Sequence, residues 1–173
     1  MNILVTGGAG YIGSVTVDAL MERGDSVVVV DTLFTGHRAA IDDDVPFYTA
    51  DLRSTADIEQ ILRAHKIEAV IHFAASSLVG ESVANPAKYF DNNVGGTISL
   101  LNAMRHAGVS KIIFSSTAAT YGEPQKVPIP ETHATVPTNP YGMTKLMMEQ
   151  ILRTYAAAYG LKFAALRYFN ACG

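Results

Sequence analysis

Short apolar runs rich in β-branched residues recur along the chain, at positions 2–5, 26–30, 45–48, 69–73, 111–115 and 162–166. Runs of this length without polar alternation predict strands buried on both faces. Between them, apolar residues return at helical spacing in segments 11–23, 55–65, 86–106 and 140–159, and Gly24, Gly108 and Gly160 stand where helices should stop. Strand and helix therefore alternate. Alternation of this kind implies right-handed crossovers, a parallel sheet covered by helices on both faces, and ligands held in the crevice at the carboxyl ends of the strands. The expected class is α/β, a doubly wound parallel sheet of about six strands.

Two stretches break the pattern. Segment 36–44 is polar, and its run Asp42, Asp43, Asp44 reads as a solvated turn. Segment 122–140 holds five of the seven prolines and reads as a stiff loop over the crevice. With 173 residues, 49% of them hydrophobic, the chain can build one core without disulfides or a structural metal. A single cysteine and the lack of an apolar run long enough to span a bilayer point to a cytoplasmic protein with no membrane partner. The net charge of -3, with scattered Lys and Arg, argues against a nucleic-acid surface. Only 17% of the residues are charged, below the usual quarter, which suggests a partner surface or deep burial. The chain reaches Gly173 a few residues past the sixth strand without a closing helix, so a cut end is expected.

Candidate chemistry begins directly after the first strand. TGGAGYIG at 6–13 spaces Gly7, Gly10 and Gly13 three apart and opens a helix. Such a loop suits a dinucleotide in a Rossmann-type fold: one glycine for the tight turn, one for close approach of a pyrophosphate, and one for helix packing. Asp31 ends the second strand 18 residues after Gly13, near the expected offset. A carboxylate there accepts from a ribose diol and repels a 2′-phosphate, which favours NAD, with Arg38 as the counter-argument for NADP. Asp51 and Leu52 end the third strand where an adenine would lie, although Asp51 also reads as the N-cap of the next helix.

At the other end, Tyr141 and Lys145 stand four apart on one helical face. A phenol is a base at neutral pH only where positive charge favours the phenolate, and Lys145 and an oxidised nicotinamide ring could both supply it. Ser115, Ser116 and Thr117 deliver hydroxyls to the same edge of the sheet. The five histidines lack ligand spacing, so no metal site is expected, and His72 reads as a core residue at a strand end. Met143, Met147, Met148, Ile151, Leu152 and Tyr155 read as core packing, with a dimer face as the alternative. Cys172 reads as an inert buried thiol.

These segments, with FAA at 73–75, DNNV at 91–94, SSTAATYG at 115–122, YGMTK at 141–145 and RYFN at 167–170, resemble the extended short-chain dehydrogenase/reductase family, and within it the UDP-sugar 4-epimerases. The resemblance implies interconversion of UDP-glucose and UDP-galactose, with hydride removed from and returned to sugar C4 through a 4-keto sugar and NAD as a bound catalyst. It makes Tyr141 the base, Lys145 the holder of the nicotinamide ribose, and Thr117 the partner of the sugar oxygen. Tyr11 and Ile12 would cradle the pyrophosphate through their backbone, and Phe73, Ala74 and Asn92 would line the cofactor. Tyr168 and Phe169 would lie near the nicotinamide, and Asn170 would reach the substrate diphosphate.

Ala118 and Ala119 stand where the family's dehydratases carry acidic residues, which disfavours elimination. Ser76 and Ser77 stand where some members have a cofactor-binding lysine. The family also implies a homodimer through helices 86–106 and 140–159. Members run to roughly twice this length, so residues 1–173 are expected to be an NAD-binding domain that carries the catalytic residues without the C-terminal substrate half. Two alternatives stay open: an epimerase of another UDP-sugar, and an NAD-binding module without turnover.

Overall fold

The computed structural model describes residues 1–172. Six parallel strands, β1 (Asn2–Thr6), β2 (Ser26–Asp31), β3 (Phe47–Thr49), β4 (Ala69–His72), β5 (Lys111–Thr117) and β6 (Lys162–Tyr168), pair in the order β3-β2-β1-β4-β5-β6. The chain builds outward from β1 through β2 to β3, then returns to the other side of β1 with β4. The crevice between the ends of β1 and β4 is therefore the topological switch point, where this class of sheet holds ligands.

Alternation along the central strands divides the core in two. Leu4, Val28, Val30, Val70, Ile112 and Phe114 face α2 (Thr55–Ala64), α5 (Gly96–Ala107) and α6 (Pro140–Tyr159). Ile3, Val5, Val27, Val29 and Ile71 face α1 (Tyr11–Glu22) and the connection through Ile41 and Val45. Met148 and Leu152 of α6 are fully buried, each worth about 2 kcal/mol of transfer free energy, while Met143 is exposed. The methionine stripe thus packs into the core along most of its length.

Burial on both faces does not extend across the whole sheet. β3 is an edge strand with Tyr48 exposed, and on β5 and β6 the face bearing Ile113, Ala164 and Leu166 is open. The physical reason is coverage: on that side α1 packs mainly against β1 and β2. A second departure falls in segment 86–106. It is one helix by spacing, but it divides into α4 (Pro86–Tyr89), a π-helical turn (Phe90–Gly95) and α5. A short helix before it, α3 (Val79–Ala84), has only Val79 and Val83 at helical spacing, too short a pattern to betray it.

Candidate active site

Sterics shape the glycine loop. Gly7 has φ +71°, and a Cβ there would lie 2.6 Å from the Ala74 nitrogen; one on Gly13 would lie 2.2 Å from the Gly7 oxygen. Gly10 has no such neighbour closer than 3.4 Å, so its Cα side opens outward. Gly10 is also the N-cap of α1, with no side-chain cap bond and no acidic residue in the first turn. The positive end of that helix is thereby left for an anion. Tyr11 is exposed and Ile12 half-buried at its start.

Asp31, at the end of β2, is buried, and its carboxylate accepts from the Ala9 nitrogen at 3.0 Å and the Leu33 nitrogen at 2.8 Å. Two of about four acceptor positions remain for a diol. Arg38 is committed elsewhere: it donates to the Ile41 carbonyl, pairs with Asp43 at 3.4 Å and lies over the Phe47 ring. Phe73 and Ala74 both donate their backbone N–H to the Thr6 carbonyl, at 2.9 and 3.1 Å, and so tie β4 to β1 across the switch point.

Asp51 is not the N-cap of α2, because that position belongs to Ser54. Its carboxylate instead takes the side chain and backbone N–H of Arg53, whose bonds hold it below the ordinary aspartate range. The Leu52 side chain turns into the core. Asn92 donates to the Ser76 hydroxyl at 3.3 Å.

The second half of the site forms where β5 meets α6. Thr117 caps the short 3-10 turn Ala118–Thr120, accepting from the Ala119 nitrogen. A Cβ on Gly142 would lie 2.6 Å from the Ala119 oxygen, so only glycine lets the first turn of α6 rest on that turn. Asn139 caps α6 by accepting from the Gly142 nitrogen at 2.8 Å. This packing brings Tyr141 beside Thr117, near enough for the threonine side chain to pull the phenol downward.

One turn on, Lys145 is 2% exposed, and its Nζ donates to the Ser115 carbonyl at 2.8 Å and lies 5.9 Å from the Tyr141 ring centre. Burial pulls the Lys145 ammonium down to about 7. Burial also pushes the Tyr141 phenol above its ordinary range, against the pull of Thr117. Among the chain's own groups, burial is thus the larger influence on the Tyr141 phenol. Tyr168 pairs with Thr117 across the β5–β6 ladder, and burial raises its phenol as well. Phe169 and Asn170 lie exposed beyond the strand end, and Cys172 is exposed rather than buried.

Several buried polar residues that hold these groups escaped the sequence reading. Asn93, next to Asn92 in the π-helical turn, accepts from the Ser76 nitrogen and donates to the Ser76 carbonyl and the Thr144 hydroxyl. His72 is indeed a core residue. It bridges Thr6 at 2.7 Å and Thr97 at 3.0 Å, and burial, aided by Lys145, lowers it to about 3. Glu149 is buried against Ser116 and Arg167. A helical period count places Glu149 on the stripe of Tyr141 and Lys145, so an acidic residue on a buried face was the available signal. Among the described residues no three acidic, histidine or cysteine side chains gather as a metal site.

Comparison with known proteins matches residues 3–173 to the NAD dependent epimerase/dehydratase family. The chain belongs to this family. It is 57% identical to the UDP-glucose 4-epimerase of Lacticaseibacillus casei over all of this chain and 52% of that protein. The UDP-glucose 4-epimerase of Brucella ovis, solved in complex with NAD, superposes with a TM-score of 0.97 at 52% identity, covering 99% of this chain and 53% of that one. That of Thermotoga maritima, solved with UDP-glucose, gives 0.95 at 44% identity, covering 100% and 57%. The chain thus spans about half the length of the relatives it matches.

Proposed function

We propose that residues 1–173 are the NAD-binding and catalytic half of a UDP-hexose 4-epimerase acting on UDP-glucose and UDP-galactose. The observation that carries this reading is the meeting of Thr117, Tyr141 and Lys145 at the edge of the crevice that also holds the glycine loop and Asp31. The fit to NAD rests on the cradle at Gly7, Gly10 and Gly13, the uncapped start of α1 and the spare acceptor capacity of Asp31. When bound, NAD supplies the acceptor and donor of hydride at sugar C4.

The chain's own residues manage the proton. Tyr141 takes it from the sugar 4-hydroxyl and returns it after the 4-keto sugar has turned over in the site. Thr117 holds the same oxygen and steadies the phenolate. Lys145, fixed by the Ser115 carbonyl, favours the phenolate in proportion to its own protonation. Ala118 and Ala119 offer no acid for elimination, which supports epimerisation over dehydration. Tyr168 and Phe169 fit the nicotinamide end, and Asn170 the diphosphate.

The same reading includes a homodimer through segments 86–106 and 140–159, supported by exposed Phe90, Ile98 and Met143. It also includes a cytoplasmic location, supported by the single cysteine. No helix among the described residues is long and apolar enough to cross a membrane.

The test is NAD binding and UDP-galactose turnover by the purified chain and by a longer protein that carries it. Tyr141→Phe should retain NAD and lose roughly 10²–10⁴-fold in rate. Turnover that survives this change, or a wild-type chain that binds no NAD, refutes the assignment.

A further inference from the structure

Glu149 follows Tyr141 by two turns and Lys145 by one on the same stripe of α6, yet it is 1% exposed. Carboxylates are rarely this buried unless they are paired. Its Oε1 accepts from the Ser116 hydroxyl at 2.6 Å and Arg167 Nε at 2.9 Å; its Oε2 accepts from Arg167 Nη2 at 2.7 Å and Arg153 Nη2 at 3.4 Å. The two bonds from Arg167 form a planar fork, a geometry that fixes orientation as well as distance. The same guanidinium lies 4.6 Å over the ring of buried Tyr121, where the proline-rich loop leaves the sheet. Burial opposes the charge on Glu149, but Arg167 and Ser116 outweigh it and hold the carboxyl below its ordinary range.

The two strand partners, Ser116 and Arg167, each sit next to a residue of the site. Ser116 lies between Ser115, whose carbonyl holds Lys145, and Thr117, whose side chain pulls the Tyr141 phenol downward. Arg167 precedes Tyr168, and the ladder pairs Ser116 with Arg167 and Thr117 with Tyr168. One carboxylate therefore pins α6 to the ends of two strands where the reactive side chains emerge.

We propose that Glu149 is a positioning residue for Tyr141, Lys145 and Thr117, setting the register of α6 against the carboxyl ends of β5 and β6 through Ser116 and Arg167. The inference rests on the assignment of Tyr141 as the base and adds the device that holds it.

The experiment follows the Tyr141 phenol itself, by carbon-13 NMR of the ligand-free chain labelled at tyrosine Cζ. Tyr141→Phe identifies the resonance, and pH titrations compare wild type, Glu149→Gln and Ser116→Ala. The charged and titratable groups facing Tyr141 are Lys145 on its own helix and Tyr89 on α4, and Thr117 is the neutral side chain that pulls its phenol downward. Both variants should leave Lys145 and Tyr89 in place and loosen Thr117, moving the Tyr141 midpoint to higher pH.

Loss of a negative charge by itself would move the midpoint down, so an upward movement reports geometry. An unmoved or lowered midpoint in Ser116→Ala overturns the proposal, and that variant decides if Glu149→Gln does not fold or the two disagree. A wild-type chain that fails to bind NAD would sink the functional reading while leaving this titration readable.

Discussion

Lys145 is held by burial at about 7, against an ordinary 10.5, and this makes the stability of the chain depend on pH in an unusual direction. Between those values the unfolded chain carries a proton on Lys145 that the folded chain sheds, so stability rises as pH rises and is lost as pH falls toward 7. The change amounts to about 2 kcal/mol between pH 7 and 9, and the cost standing at pH 7 is about 4 kcal/mol. Lys145→Met keeps the length of the side chain and removes the proton. It also strands the Ser115 carbonyl, at a cost of about 1–3 kcal/mol, so the variant should gain about 1–3 kcal/mol net at pH 7 and lose the pH dependence. With no tryptophan present, denaturant unfolding at pH 7, 8 and 9 is best followed by far-ultraviolet circular dichroism. The range stops at 9 because burial raises Tyr89, Tyr141 and Tyr168, which ionise first in the unfolded chain and pull the other way. A wild type that is flat across this range, or a Lys145→Met variant that keeps the slope, would show that the ammonium is not held dry.

His72 sets the acid side in the same way. Burial lowers it from 6.5 to about 3, so the unfolded chain gains a proton first, and stability should fall by about 2 kcal/mol from pH 6.5 to 5. His72→Asn should flatten that limb in the same unfolding series, and an unchanged slope would assign it to other groups. Gly13→Ala would drive a methyl group to 2.2 Å from the Gly7 oxygen, and the loop must open. We expect a loss of about 1–3 kcal/mol in thermal unfolding, together with loss of NAD retention in a fluorescence titration with NADH; unchanged binding would detach the loop from the cofactor.

The local rules served the sheet well, because each strand is a contiguous apolar run and Gly108 and Gly160 end α5 and α6 in the left-handed conformation. They also found Tyr141, Lys145 and Thr117, whose spacing and strand-end position are local facts. They failed wherever a polar side chain is satisfied from far along the chain. Asn93 meets Thr144 across 51 residues and Glu149 meets Ser116 across 33. No window of sequence contains both members of such pairs. Coverage was equally out of reach, since the apolar run of β6 reads the same whether or not a helix lies over its second face.

The π-helical turn at Phe90–Gly95 carries a consequence for insertions and deletions. It holds one residue more than an α-helix would need, and each residue of an α-helix turns the chain by about 100°. Losing a single residue there would give a more regular helix with better local bonding. It would also swing Tyr89 away from the Leu78 carbonyl and Glu81, or Asn92 and Asn93 away from Ser76. The segment is therefore a counting device: substitutions along its exposed side are cheap, but its length is not negotiable.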